Sequence, residues 1–151
     1  MLTKIEFCNG ERAIPVKLTL GAARIYQAQF NRDLFSDLHE LAMAINSDYL
    51  QEAAKLLNYD DIKAKTPDEL MKKIIENLDL GQIAVDRPLT LAECERGLEI
   101  VWAFAKNADK SIPLPDDWLD LLDVFPVRIL VNQLFDKWTA VQNGTIDLKN
   151  A

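Results

Sequence analysis

The sequence predicts a mainly α protein, a single-domain helical bundle with a short N-terminal β-hairpin. Three observations predict it. Apolar residues recur at helical spacing through most of the chain after Thr19. Two Thr-x-x-Glu boxes, Thr66–Glu69 and Thr90–Glu93, mark helix starts. Only the opening stretch alternates apolar and polar residues, around an Asn9-Gly10 pair. With 151 residues, 49% of them hydrophobic, the chain is one domain's length and can bury a core without disulfides or metals. The expected domain spans 1–151: hairpin 1–18, first helical part 19–58, middle helix 66–80, C-terminal helices 90–142 and a frayed tail 143–151. No internal repeat or low-complexity tract interrupts it.

Each element has a local reason. Leu2, Ile5 and Phe7 alternate with Thr3, Lys4 and Glu6. Asn9-Gly10 tolerates the positive φ of a tight turn, and Ala13 to Leu18 is kept extended by Pro15 and Val16. An isolated hairpin is marginal in water, so this one must lean on its own helices or pair with another chain. Thr19 can cap a helix from Leu20 to about Phe30. Arg32 to Ile45 continues it or forms a second helix, with Leu34, Leu38, Leu41 and Ile45 on one face. Ser47 or Asp48 can cap a short helix, Tyr49 to Leu57. Thr66-Pro67-Asp68-Glu69 opens a helix with Leu70, Met71, Ile74, Ile75 and Leu78 on one face, and Gly81 follows it. Residues 80–89 read as a loop. Thr90 starts a helix to about Lys106, Pro115 starts an acidic one broken at Phe125-Pro126, and a last helix runs from Val127 to about Gln142. Its stripe is Val127, Leu130, Leu134, Trp138 and Val141, and Asn143-Gly144 ends it.

The chemistry-bearing residues exclude most enzymatic classes. The single histidine, His39, sits on a helix as a surface or partly buried residue. Cys8 and Cys94 are too few and too distant for a zinc set; a disulfide between them is open but has no support in the sequence, and two reduced, buried thiols are expected. The five glycines are scattered, so no phosphate loop or dinucleotide fingerprint can be built. No serine lies in a nucleophile elbow. No catalytic residue, cofactor site or metal site is expected. A net charge of −7 disfavours nucleic acid and anionic membrane surfaces as partners. No apolar run reaches the ~18 residues of a membrane span, so a soluble intracellular protein is expected.

Two features remain. Asp116, Asp117, Asp120 and Asp123 could bind a hard cation, but first-turn carboxylates suit the helix dipole, and a solvated face or charged interface rim is the simpler account. The helix from Gly97, GLEIVWAFA, is apolar nearly all round and is expected to be central core. Trp118 and Trp138 lie on amphipathic helices and are either core or docking anchors. The candidate partner-binding residues are Trp118, Leu119, Leu122, Phe125, Leu134 and Trp138. Asp109 and Pro113, in the hinge from Asn107 to Pro115, should set the angle of the acidic helix.

Two blocks carry a family resemblance. Lys17 to Leu38 reads KLTLGAARIYQAQFNRDLFSDL, with an aromatic, a Gln-Phe pair and an acidic-hydrophobic run. Glu99 to Phe125 reads EIVWAFAKNADKSIPLPDDWLDLLDVF, a Trp-Ala helix, an Ala-Lys-x-Ala-Asp turn and a proline before an acidic Trp-Leu segment. In these blocks the chain resembles the tail assembly chaperones of long, non-contractile-tailed bacteriophages and of prophages in Gram-positive bacteria. The blocks cover about a third of the chain, and the stretch from Ala42 to Leu89 lies outside the resemblance.

The resemblance implies a non-enzymatic protein of the bacterial host cytoplasm. It would bind the tape measure protein, help recruit tail tube subunits and be absent from the mature virion; self-association is open. The family often makes a longer form by ribosomal frameshifting, and Leu148-Lys149-Asn150 can be encoded by a slippery heptamer, A-AAA-AAC. Two other classes stay open: an acidic regulatory or DNA-mimic protein binding a host protein, and a structural head-to-tail connector subunit.

Overall fold

The computed structural model describes residues 2–56, 85 and 87–144. The expected helix at 66–80 with its Thr66 box, most of the 80–89 loop and the tail beyond Gly144 lie outside them. Among the described residues the order is β1 (Leu2–Phe7), β2 (Arg12–Lys17), α1 (Leu20–Phe30), α2 (Leu34–Leu56), α3 (Leu91–Ala108), α4 (Pro115–Asp120) and α5 (Val127–Gln142). The fold is mainly α with one two-stranded antiparallel hairpin. The chain divides into two compact units, 1–42 with 90–151, and 43–89. At the first crossing between the units, Ala42–Met43, the sequence carries no linker and α2 runs straight through; the second falls between Leu89 and Thr90. Among the described residues no helix is long and apolar enough to cross a membrane.

In the first unit the hairpin pairs Leu2 with Lys17 through Phe7 with Arg12. Alternation puts Ile5, Phe7, Ile14 and Val16 on a buried face, while Glu6, Ala13 and Pro15 stay outside. Positive φ begins at Cys8 (53°), one residue before the expected pair, and continues through Asn9 (57°) and Gly10 (84°). Gly10 N–H bonds to the Phe7 carbonyl and Glu11 N–H to the Cys8 carbonyl, so two overlapping turns close a four-residue loop. The hairpin leans on helices of its own unit: α3 packs on β2 and α5 on β1. At the β1 edge, Glu6 N–H donates to Gln133 Oε1 at 2.8 Å, and Gln133 Nε2 donates back to the Glu6 carbonyl. The Glu6 backbone therefore faces outward, so the Glu6–Ala13 and Lys4–Pro15 pairs are the non-hydrogen-bonded ones. The missing N–H of Pro15 thus falls on the outer edge of β2, where no ladder bond is lost.

α1 keeps its expected bounds, although Thr19 does not cap it with its side chain. The Thr19 hydroxyl instead accepts from Asn107 Nδ2 at 2.8 Å, and Asn107 Nδ2 also donates to the Lys17 carbonyl at 2.9 Å. Asn31, in the left-handed region at φ 57°, ends α1. Asp33 then caps a separate α2, its carboxylate accepting from the N–H groups of Phe35 (2.9 Å) and Ser36 (3.2 Å). α2 does not restart at Ser47 or Asp48. In the second unit, Asp48 is held by Arg87 through two bonds of 3.0 and 2.7 Å, leaving its carboxylate no capping role.

α3 opens with the expected capping box, Thr90 and Glu93 bonding reciprocally at 3.0 and 3.1 Å. Leu98 and Ile100 to Ala105 are buried, which makes α3 the centre of the unit. Gly97 admits Val127, since a Cβ there would lie 2.5 Å from Val127 Cγ1. α5 runs Val127–Gln142 as expected, burying Val127, Leu130, Val131, Leu134 and Trp138.

Candidate partner-binding surface

Three of the six expected contact residues belong to the core. Leu134 is fully buried, and Trp118 and Trp138 are 6% and 8% exposed. Trp138 stacks on Phe35 with centroids 4.8 Å apart, and Trp118 meets Phe125 edge-on at 6.1 Å. A buried indole contributes more apolar contact to its own fold than any surface position could offer. Leu119 is exposed, while Leu122 and Phe125 are half-buried.

The sequence reading missed Leu114, Leu121, Val124 and Ile129, which are exposed by 57, 70, 42 and 48%. For Leu121 and Val124 the cause is the length of α4. It stops at Asp120, and bonds from Leu121 N–H to Trp118 O and from Leu122 N–H to Leu119 O tighten the chain beyond it. Helical periodicity projected through to Phe125 therefore assigns the wrong facing after residue 120. The overlooked signal is the density of leucines between carboxylates, with Asp116, Asp117, Asp120 and Asp123 all exposed.

The segment before α4 is fastened. Trp102 Nε1 donates to the Pro113 carbonyl at 2.8 Å. Lys106 Nζ donates to the Lys110 carbonyl at 2.8 Å and also to that of Ile112. Ser111 donates its N–H and its hydroxyl to Asp109 Oδ1 at 3.0 and 2.6 Å, which holds the Asp109 carboxyl below its usual pKa. Pro113 acts here through its carbonyl and Asp109 through a side-chain turn. Asp123 meets Arg12 at 3.6 Å, an exposed ion pair.

Beside α4 lies a cleft of about 380 Å³ between α1, α3 and α4. Its floor and walls are Gln29, Phe30, Glu95, Leu98, Glu99, Leu114, Pro115, Asp116 and Leu119. Behind it, a polar cluster ties three helices together. The Tyr26 hydroxyl donates to Asp37 Oδ2 at 2.6 Å, Arg32 Nε reaches the same oxygen at 3.1 Å, Arg96 meets Asp37 Oδ1 at 3.2 Å, and Arg32 also pairs with Glu99. Burial, then the bond to Asp37, pushes the Tyr26 phenol well above its ordinary pKa.

The remaining candidates stand apart from this surface. His39 is exposed, its ring 6.0 Å from that of Phe135. Both cysteines are free thiols, but neither is buried as expected: Cys8 is exposed at the hairpin tip and Cys94 is half-buried on α3. Cys8 belongs to the loop that must turn outward, and Cys94 sits in the first turn of α3, ahead of its buried stretch. Among the described residues, no three His, Cys, Asp or Glu side chains are placed to hold a metal ion. No family model, no curated protein and no solved structure matches the chain.

Proposed function

We propose that this protein is a non-enzymatic tail assembly chaperone that binds the tape measure protein of a bacteriophage and helps recruit tail tube subunits around it. The observation that carries the reading is the surface around α4. Exposed Leu114, Leu119, Leu121 and Val124 alternate with exposed Asp116, Asp117, Asp120 and Asp123 on a segment anchored by Trp102 and Asp109. Apolar side chains can cover the stripe of a long, aggregation-prone partner helix, and the carboxylates keep the complex dispersed.

The packing of the two blocks that resemble the chaperone family supports the reading. Residues 17–38 and 99–125 belong to one unit, joined by Arg32 with Glu99, by Phe30 against Trp102 at 5.7 Å and by Asn107 with Lys17 and Thr19. The stretch outside the resemblance, from Ala42 to Leu89, corresponds almost entirely to the second unit. Such a protein acts in the host cytoplasm and is left out of the finished virion.

Co-expression tests the proposal. The tape measure protein of the same phage should shift from the pellet to the soluble fraction when this chain is present, and the two should co-purify. Equal solubility with and without the chain would sink the chaperone reading.

A further inference from the structure

We propose that the cleft beside α4 is an anchor for a basic residue of a partner helix, the charged head lying between Glu95 and Asp116. The inference rests on the chaperone reading for the identity of the natural partner. The cleft combines apolar walls, Phe30, Leu98, Leu114 and Leu119, with carboxylates at its rim. Of the three carboxylates lining it, Glu99 is already paired with Arg32. Glu95 and Asp116 are exposed and have no ion-pair partner among the described residues. They come from different helices, so a cation entering the cleft meets negative charge on both the α3 and the α4 side.

The dimensions and charge favour one occupant. A lysine or arginine buries a long aliphatic stem on apolar surface while its head stays at the polar rim. A free metal ion would leave those apolar walls uncovered, and nucleic acid would be repelled by the carboxylates. The α3 wall is itself periodic: Leu91, Glu95 and Leu98 lie at i, i+4 and i+7, with Leu91 75% exposed. That spacing matches a second helix laid alongside, whose apolar residues one turn from the cation would settle on Leu91 and Leu114. The occupant is therefore an amphipathic partner helix with a lysine or arginine set among leucine-like residues.

The direct probe is a synthetic helical peptide with a leucine stripe flanked by lysines, titrated into the full-length chain. Its counterpart has glutamate at every lysine position. The lysine peptide should bind and the glutamate peptide should not. Glu95→Gln with Asp116→Asn should weaken binding about tenfold, two modest ion pairs acting together. Glu11→Gln with Glu40→Gln, which changes net charge equally but away from the cleft, should leave it unchanged. Equal binding of the two peptides, or unaltered affinity in the Glu95/Asp116 variant, overturns the proposal; matching circular dichroism melts establish that the variant is folded. Co-expression separates this failure from that of the chaperone reading. A tape measure protein solubilised equally by wild type and the cleft variant removes the anchor alone. One not solubilised by wild type removes the chaperone function, and the peptide titration still decides the cleft.

Discussion

Tyr26 shows how much one side chain can commit. Its hydroxyl is fully buried against Asp37 and within 3.3 Å of Arg32 Nη2. In the unfolded chain the phenol ionises near pH 10; in the native protein burial and the Asp37 carboxylate keep it protonated to higher pH. Below about pH 10 both states hold the proton and the Tyr26 contribution is fully present. Above it the unfolded state loses the proton while the native state keeps it, so stability falls as pH rises toward the native pKa. A 295 nm absorbance titration should show a late-ionising component that Tyr26→Phe removes, and the variant's melting temperature should decline less steeply above pH 10. None of this was legible in the sequence. Tyr26, Arg32, Asp37, Arg96 and Glu99 look like unrelated polar residues until the left-handed Asn31 turns the chain into α2 and α3 arrives from far along the sequence. Local periodicity carries no record of such pairings.

Among the elements, α1 and α3 meet through a side chain where a capping bond was expected. A Cβ at Gly21 would lie 2.5 Å from Asn107 Oδ1. Asn107 has little freedom to retreat, being bound to Lys17, Thr19 and Lys110. Gly21→Ala should therefore destabilise the protein by about 1–3 kcal/mol, the range for overpacking a fixed contact. Chemical denaturation should show a smaller cost for the same change in an Asn107→Ala background, because the clash is then gone. The start of α3 and the bounds of α5 are readable because they rest on Thr90, Pro126 and the Asn143-Gly144 pair acting locally, whereas the end of α1 depends on the left-handed turn at Asn31. α2 was misread at its middle, since a residue able to cap does so only where the chain turns, and Asp48 is occupied by Arg87 instead. α4 was read as too long because nothing in LDLLDVF forbids a helix; tertiary packing of Trp118 and Phe125 decides it.

At the scale of the whole molecule, fold class was legible and the contact surface only partly so. Binary patterning specifies which elements form, and the buried stripes of α3 and α5 follow from it. It does not say which amphipathic faces find a partner inside the chain. Tryptophans drew attention as anchors and two proved internal, while plain leucines such as Leu114 and Leu121 face water. The division into two units is legible at only one of its two crossings: that at Leu89–Thr90 falls at a capping box, while that at Ala42–Met43 falls within a continuous helix. The bond pair between Gln133 and Glu6 has a consequence at this scale. A two-stranded ribbon has two open edges, each able to template another chain. The Gln133 amide presents an N–H and its oxygen toward the same side, as one residue of a paired strand presents its N–H and C=O, so Gln133 imitates a single residue of a third strand and takes the place where an incoming one would begin. Pro15 makes the other edge a poor template by removing a donor. Replacing Gln133 by leucine should restore the vacancy, and sedimentation velocity should then show stronger concentration-dependent association than in the wild type. One amide side chain thus stands as a sentinel at the open edge of the ribbon, occupying the backbone groups of Glu6 that an added strand would need.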